Sequence, residues 1–591
     1  MAFQPTGFSK KMFTARYGFT EDETWDGMSW RVAKHIASAE LPEKIDKYTN
    51  KFQKVIVENL FVPGGRIIAN SGRSGGQLLN CFVLGADLDS KEGWGRLANE
   101  MIVTSSTGGG CGIDFSAVRP RGAEINGQRG IAPGAVELMK LVNGCADPIR
   151  SGGQRRVALM FSLDLDHPDI MEFLDAKLEK GKLNNANCSV RSKKTLEFIE
   201  AVKNDLGWEL SWKGRYKKII KAKDLWNKIV QNAWKRAEPG FLNWELALKE
   251  SNTWYIGELV TTNPCGEIGM PAYDACDLGA LVLYRFVKDG KLDYKLLGDT
   301  IRTGIRFLDN VLTVNTYPLL EMKEMCNKLR RIGLGTTGLA DMLALMGHKY
   351  GSKEGNKFVD YLYRFISKQA YEASVMLAVE KGAFELCDPE KHIKSDYMKR
   401  MTAKIRSLVA EHGIRNCALL TQAPTGTTSI ISGNCSSGIE PMFAPTYERH
   451  FFDGDDRKSE LVFHPLCDQF IKEGKDVSHF VGASDLSIKE HMEVQKIVQK
   501  HLDNAVSKTI NMSEHYPVEE MSSAWLEYLP HLKGTTFYRA NSRKYEKDGR
   551  EYDEPLKSVP LEEALKRRDK EKVSVEVAET NDCTSGVCDV V

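Results

Sequence analysis

Asn263-Pro264-Cys265-Gly266-Glu267 sets an amide, a thiol and a carboxylate at alternate positions around a Pro/Gly turn. In extended backbone, positions i, i+2 and i+4 face the same way. Pro264 and Gly266 favour a tight excursion, so the three polar groups are expected together at the tip of a loop rather than along a sheet face. Taken alone, the pentapeptide reads equally well as a turn with one buried free cysteine. Its surroundings decide between the two.

From Cys81 to about Tyr447 short apolar runs alternate with helical patterns. Residues 157–163 read as a strand, whereas Ile301, Ile305, Leu308 and Leu312, and then Leu362, Ile366, Ala370, Ala373 and Leu377, recur at helix spacing. This alternation predicts an α/β fold with a largely parallel sheet and crossover helices. Residues 1–75 read as a small helical region, with Thr24 and Trp25 leading into a Met28, Val32, Ile36 stripe and a Gly/Ser-rich loop closing it at 71–76. The body of the chain is then 76–545. Residues 546–591 turn to charge, as in 561–568, and predict a solvated helix followed by a flexible tail.

At 591 residues the chain is long enough for a large core, and 81 basic against 80 acidic side chains leave a formal charge of +1. That balance argues against a polyanion-binding surface, so nucleic acid is not an expected partner. No secretory h-region follows Met1 and no apolar run approaches the ~18 residues of a membrane span, so a cytoplasmic protein is expected. Thirteen cysteines without a secretory signal point to a reducing compartment, where thiols are catalytic or simply buried. Cys111, Cys145, Cys188, Cys326, Cys387, Cys417, Cys435 and Cys467 read as small core hydrophobes.

Four more motifs accompany the pentapeptide: Asn80-Cys81-Phe82-Val83-Leu84, Cys276-Asp277-Leu278-Gly279-Ala280, Ala423-Pro424-Thr425-Gly426-Thr427-Thr428-Ser429 and Cys583-Thr584-Ser585-Gly586-Val587-Cys588. In this order the chain resembles the catalytic subunit of ribonucleotide reductases from about Thr24 to its C-terminus, most in the manner of the class II, adenosylcobalamin-dependent branch. The resemblance implies a ten-stranded α/β barrel whose interior is threaded by a finger loop carrying Cys265. It implies a thiyl radical on Cys265, a general-base role for Glu267 and a positioning role for Asn263. Cys81 and Cys276 become the reducing pair, and Cys583 with Cys588 a C-terminal dithiol that regenerates it. Zinc is the competing reading of that dithiol, but no His follows His531 and no Cys lies between Cys467 and Cys583, so a local tetrad is not completed.

Pro424, Thr425, Gly426, Thr427, Thr428 and Ser429 offer hydroxyls and a flexible Gly where a helix start would cradle a substrate diphosphate, although ordinary capping uses the same residues. Ser151-Gly152-Gly153-Gln154-Arg155-Arg156 resembles the loop that relays effector identity, with Gly153 for freedom and Gln154, Arg155 and Arg156 for contact. Asp89 resembles the start of the deoxynucleoside triphosphate effector site. Asp164-Leu165-Asp166-His167-Pro168-Asp169 suggests a metal site but is explained by Pro168 near a first helical turn with Asp166 or His167 as cap, and no metal is expected.

In Lys533-Gly534-Thr535-Thr536-Phe537-Tyr538-Arg539 the first of two consecutive aromatic positions is Phe537, which has no phenolic proton. Class I large subunits carry two tyrosines there. The implied activity is therefore reduction of ribonucleotides, expected as diphosphates, with adenosylcobalamin as cofactor and thioredoxin or a glutaredoxin-like protein as reductant. The alternatives are a class I large subunit that needs a radical-generating partner, and a catalytically silent nucleotide-binding regulator. Only about sixty residues separate Asp89 from Arg150, so a homodimer is expected to complete the effector site.

Overall fold

The computed structural model describes residues 3–571 apart from 86–87, 126, 128, 152–154, 179–182, 454–455, 543–544, 548–549 and 553–555. Its N-terminal part is helical: α1 (Gly7–Arg16), α2 (Trp25–Ala37), α3 (Ile45–Val57) and the short α4 (Gly65–Asn70). The Thr24 hydroxyl caps α2 by accepting from Gly27 N–H at 3.1 Å. The stripe Met28, Val32, Ile36 is fully buried, and Trp25 packs edge-on against Phe3 and Phe13. Between α3 and α4 the chain contributes a strand to the main sheet, so the helical region is continuous with the body of the fold.

The main sheet consists of β1 (Phe61–Pro63), β2 (Cys81–Val83), β3 (Gly110–Asp114), β4 (Leu159–Asp164), β5 (Ala186–Ser192), β6 (Gly240–Asn243), β7 (Ala275–Val282), β8 (Ile332–Thr337), β9 (Thr509–Met512) and β10 (Gly534–Arg539). Strands β2, β3, β4, β5 and β6 run parallel to their neighbours, as do β7 with β8 and β9 with β10. The five-stranded set meets the other two antiparallel, at β2–β7 and at β6–β10. Single parallel bridges, Leu334 with Leu420 and Gln422 with Val506, continue the path from β8 through residues 420–422 to the chain that enters β9. The hydrogen-bond path thus returns on itself around a central space.

Every residue of β6 and β8 is buried, the continuous pattern of strands covered on both faces. Outside lie the helices Tyr294–Val314 and Lys353–Lys381, whose predicted apolar stripes are buried between sheet and helix. The strand expected at 157–163 begins at Leu159 and ends at Asp164, because Arg155 and Arg156 are taken up by a hairpin with Arg150 and Ser151. No helix among the described residues is long and apolar enough to cross a membrane.

The charged segment past 545 departs from the expected solvated helix. Leu556–Ser558 pairs antiparallel with the hairpin Thr446–Asp453/Asp456–Phe463, and the helix Leu561–Glu571 comes next with Ala564 fully buried. Arg567 and Arg568 reach Glu448 at 2.6 Å and Asp468 at 2.7 Å, so charge that reads as solvated is in part paired. Cys583 and Cys588 lie outside the described residues.

Candidate active site

The pentapeptide forms the tip of a hairpin inside the sheet. Thr261 and Thr262 pair antiparallel with Met270 and Gly269, and Gly266, at φ 85°, makes the turn with its N–H donating to the Asn263 carbonyl at 3.0 Å. Room for this finger comes from β3: a Cβ on Gly112 would stand 1.9 Å from the Thr262 carbonyl oxygen, and one on Gly110 2.8 Å from the Pro264 ring. The finger is held across the interior by the Asn187 amide, which donates to Pro264 O at 3.0 Å, and by the Thr421 hydroxyl and Ala505 N–H, which each donate to Glu267 O at 2.8 Å.

Cys265 stands at the wall of a cavity of about 1480 Å³. Burial, reinforced by the neighbouring Glu267, pushes its thiol well above the ordinary range, so the sulfur keeps its hydrogen at neutral pH. Glu267 is 1% exposed and neither carboxyl oxygen has a hydrogen-bond partner among the described residues. Burial lifts its pKa to about 7, where a carboxyl both takes and gives a proton. The Asn263 side-chain oxygen Oδ1 accepts from Ile268 N–H at 3.1 Å and its Nδ2 donates to Cys81 Sγ at 3.2 Å.

Cys81 lies directly opposite Cys276 in the β2–β7 register. Such antiparallel partners have Cα atoms about 4.5–5.5 Å apart, inside the range a disulfide bridges. Both are free thiols here, packed with Val83, Ile268 and Met270 beneath the finger. Burial raises both thiols well above their ordinary range, and Cys276 Sγ donates to Asp277 O at 3.1 Å.

Across the cavity Pro424 and Thr425 lead into a six-residue helix, Gly426–Ile431. Its hydroxyls are largely spent on fixing the loop. Thr425 Oγ1 accepts from Gly438 N–H at 2.7 Å and bonds Thr337 Oγ1 at 3.0 Å, while Thr428 and Ser429 donate to the carbonyls of Thr425 and Gly426. Thr427 Oγ1 bonds the Tyr17 hydroxyl at 2.5 Å, which ties the N-terminal helices to the site.

Arg156 lines the same cavity and pairs antiparallel with Arg150; Gly153 and Gln154 lie outside the described residues. Asp89 is engaged by Arg119 at 2.9 Å and Lys213 at 3.5 Å. The adjoining Ser90 caps α5 (Lys91–Ser106), and α6 (Ala135–Ala146) packs beside it. The cap expected from Asp166 or His167 is not formed. The N-cap of α7 (Ile170–Asp175) is Asp169, whose carboxylate instead accepts from the N–H groups of Arg121 and Ala135; His167 Nδ1 accepts from Asp169 N–H, and its Nε2 faces Val118 O at 2.9 Å. Asp164 is bound by Arg191 at 2.5 Å, together with Asp114 at 2.9 Å.

Sequence reading missed Tyr17, Arg331 and the pair Glu440–Lys508. Lys508 Nζ, buried at the cavity wall, reaches Glu440 Oε2 at 2.6 Å, and Thr509 N–H donates to Glu440 Oε1 at 2.7 Å. The only local sign was a carboxylate set between Ile439 and Pro441 after a glycine.

A barrel-like sheet threaded by a hairpin that brings a thiol and an unpartnered carboxyl to a thiol pair is the arrangement of the large catalytic subunits that reduce ribonucleotides. The family model described as ribonucleotide reductase, barrel domain, matches residues 79–538, and that described as ribonucleotide reductase, all-alpha domain, matches residues 3–76. The chain belongs to the ribonucleotide reductase large-subunit family. It is 34% identical over 525 residues to a vitamin B12-dependent ribonucleoside-diphosphate reductase of Thermoplasma acidophilum, covering 84% of this chain and 66% of that protein. A protein of the same description from Mycobacterium tuberculosis is 31% identical over 543 residues, covering 87% of this chain and 75% of the relative. The ribonucleoside-diphosphate reductase large subunit of vaccinia virus is 28% identical over 472 residues. The chain thus spans 66% to 75% of the length of the two B12-dependent relatives.

Proposed function

We propose that the chain reduces ribonucleoside diphosphates to 2′-deoxyribonucleotides by radical chemistry at the finger tip. The observation that carries this reading is the convergence of Cys265, the unpartnered Glu267 carboxyl and the Cys81–Cys276 rung on one cavity.

Hydroxide is a poor leaving group and C2′ carries no acidic proton, so the 2′-OH is lost after a hydrogen atom is removed from C3′. A thiyl radical at Cys265 takes that atom, and the raised thiol pKa keeps the sulfur in the S–H form to which it returns. Glu267, as carboxylate, accepts the 3′-OH proton while the 2′-OH departs as water. Asn263 would hold the substrate hydroxyl with the amide hydrogen that Cys81 leaves free. Cys81 and Cys276 then give up two electrons and two protons and become a disulfide: one proton leaves with the 2′-OH as water and one hydrogen goes to C2′, while Glu267 returns its proton to O3′ and Cys265 returns the hydrogen atom to C3′ and is a thiyl radical again. The backbone N–H groups at the start of Gly426–Ile431 would receive the diphosphate, with Thr425, Thr427, Thr428 and Ser429 holding the loop in shape.

The cavity exceeds the ~300–1,000 Å³ of a single small-molecule site, which suits a nucleotide beside a second large group. Met442, Phe443 and Tyr447 would hold adenosylcobalamin on the apolar side of that space. When bound, the cofactor supplies the radical that Cys265 carries. Phe537, 1% exposed and packed 4.6 Å from the Trp525 ring, offers no phenol for a relay from a partner subunit.

Cys583 and Cys588 would return the disulfide to dithiol and be reduced in turn by thioredoxin or a glutaredoxin-like protein. A deoxynucleoside triphosphate near Asp89 and the 150–156 hairpin would set substrate choice, with Arg155 and Arg156 in contact. Ile102 on α5 and Leu141 on α6, two helices that pack together, are exposed apolar side chains suited to a homodimer face.

The test is to supply the purified chain with a ribonucleoside diphosphate, adenosylcobalamin and a dithiol and to measure deoxyribonucleotide by chromatography. Product is expected from the chain alone. Product that appears only after a radical-generating protein subunit is added would make it a class I large subunit, and none under either condition would make it a regulator.

A further inference from the structure

Among the buried cations that the proposed chemistry leaves unused, Arg331 lies beside the thiol pair. Along the parallel β7–β8 pair Asp277 stands opposite Ile332, so the preceding rung sets Cys276 beside Arg331. On the other side of β8, Leu334 bridges Leu420 and Ile332 N–H donates to Ala418 O, which places Cys417 beside Arg331 in turn. One rung across the interior therefore reads Cys81, Cys276, Arg331, Cys417.

Arg331 is 3% exposed. Its Nε donates to Asp274 Oδ2 at 2.6 Å and its Nη1 to Asn504 Oδ1 at 3.4 Å, whereas Nη2 is buried without a partner among the described residues. An open donor on a buried guanidinium costs stability, and an anion formed nearby would recover it. The adjacent group able to become an anion in the reaction is the Cys276 thiol. Cys81 lines the cavity and Cys276 does not, so an incoming thiolate meets Cys81 first.

We propose that Arg331 is a positioning residue for disulfide exchange, which stabilises Cys276 as the leaving thiolate when an incoming thiolate attacks Cys81. The proposal rests on the reading of Cys81 and Cys276 as the reducing pair. In the step a thiolate of the dithiol reductant bonds to Cys81 Sγ, the Cys81–Cys276 S–S bond breaks, and its electron pair leaves on Cys276 Sγ beside the guanidinium. The second reductant thiol then displaces Cys81, and both protein sulfurs take up protons, so that one dithiol is oxidised for each disulfide reduced. Burial, Asp277, Cys81 and Asp274 raise the Cys276 thiol, and Arg331 opposes them.

The test uses full-length chain carrying Cys583→Ser and Cys588→Ser, so that the tail cannot re-reduce the pair, with the Cys81–Cys276 disulfide formed by one turnover. Dithiothreitol reduction is followed by thiol labelling and peptide mass spectrometry, for both rate and equilibrium. In Arg331→Met reduction is expected to slow about tenfold while the equilibrium stays put, because Cys276 ends as a thiol in either protein, with Arg331→Lys recovering most of the rate. Arg331→Met with Asp274→Asn leaves no unpaired buried carboxylate and should show the same slowing. A wild-type rate in that double variant would overturn the proposal. If the tail-substituted chain with Arg331 intact forms no Cys81–Cys276 disulfide on turnover, the reading of the reducing pair falls, a result distinct from an unchanged rate in the Arg331 variants.

Discussion

The Asn263 side-chain amide donates to Cys81 Sγ across 3.2 Å, so the tip of the finger and the thiol pair on the wall are in direct contact. The same side chain accepts from Ile268 N–H, which fixes both ends of the amide and hence its orientation. Radical generation at Cys265 and electron supply from Cys81 are thereby set at one place. A shift of the finger would disturb both together.

Cys265→Ser keeps an O–H where the S–H stood, but the bond to hydrogen is far stronger. Nucleotide binding should persist in equilibrium dialysis while deoxynucleotide product disappears. Turnover above a few per cent of wild type would remove Cys265 from its assigned role.

Glu267 titrates at about 7 in the folded chain against an ordinary value of 4.5. A folded pKa above the unfolded one means that its contribution to stability is complete below about 4.5 and is lost as pH rises through about 7. The difference amounts to roughly 3 kcal/mol. Glu267→Gln should flatten the fall in Tm between pH 5 and pH 8, measured by calorimetry. It should also lower kcat by about a hundredfold, because the amide accepts no proton.

Arg306, on the helix Tyr294–Val314, is gripped by Glu40 at 2.7 Å and Glu380 at 2.6 Å, and so ties the N-terminal helices to the sheet's cover. Burial works against the Glu40 carboxylate, but bonds from Arg306, Asn310 and Lys381 pull its pKa down to about 2. This stabilisation is present above about 4.5 and is lost as pH falls toward 2. Glu40→Gln should cost roughly 2 kcal/mol at pH 7 after allowance for solvent screening, read as a lower urea midpoint with unchanged slope.

Cys583→Ser with Cys588→Ser should abolish multiple turnover with thioredoxin and leave roughly one product per active site from pre-reduced enzyme. A small dithiol that diffuses into the cavity should partly restore turnover. Cys81→Ser and Cys276→Ser should not be restored in this way. A tail variant equal to wild type with thioredoxin as sole reductant would make the dithiol dispensable.

The amino-acid sequence by itself determined the α/β alternation, the helical stripes of 294–314 and 353–381 and the turn at Pro264–Gly266, because those depend on periodicity and backbone preference within a few residues. Motif order was enough to indicate the family. Tertiary structure decided the rest. Cys81 and Cys276 are 195 positions apart, and only the antiparallel seam between β2 and β7 makes them neighbours. The hydroxyls of 425–429 read as ligand contacts, yet they close on the loop and on Tyr17, since a hydroxyl bonds whatever the fold brings within reach. Arg331 carried no local sign at all. Its place beside Cys276 comes from strand register, a property of two segments brought side by side and of neither one alone.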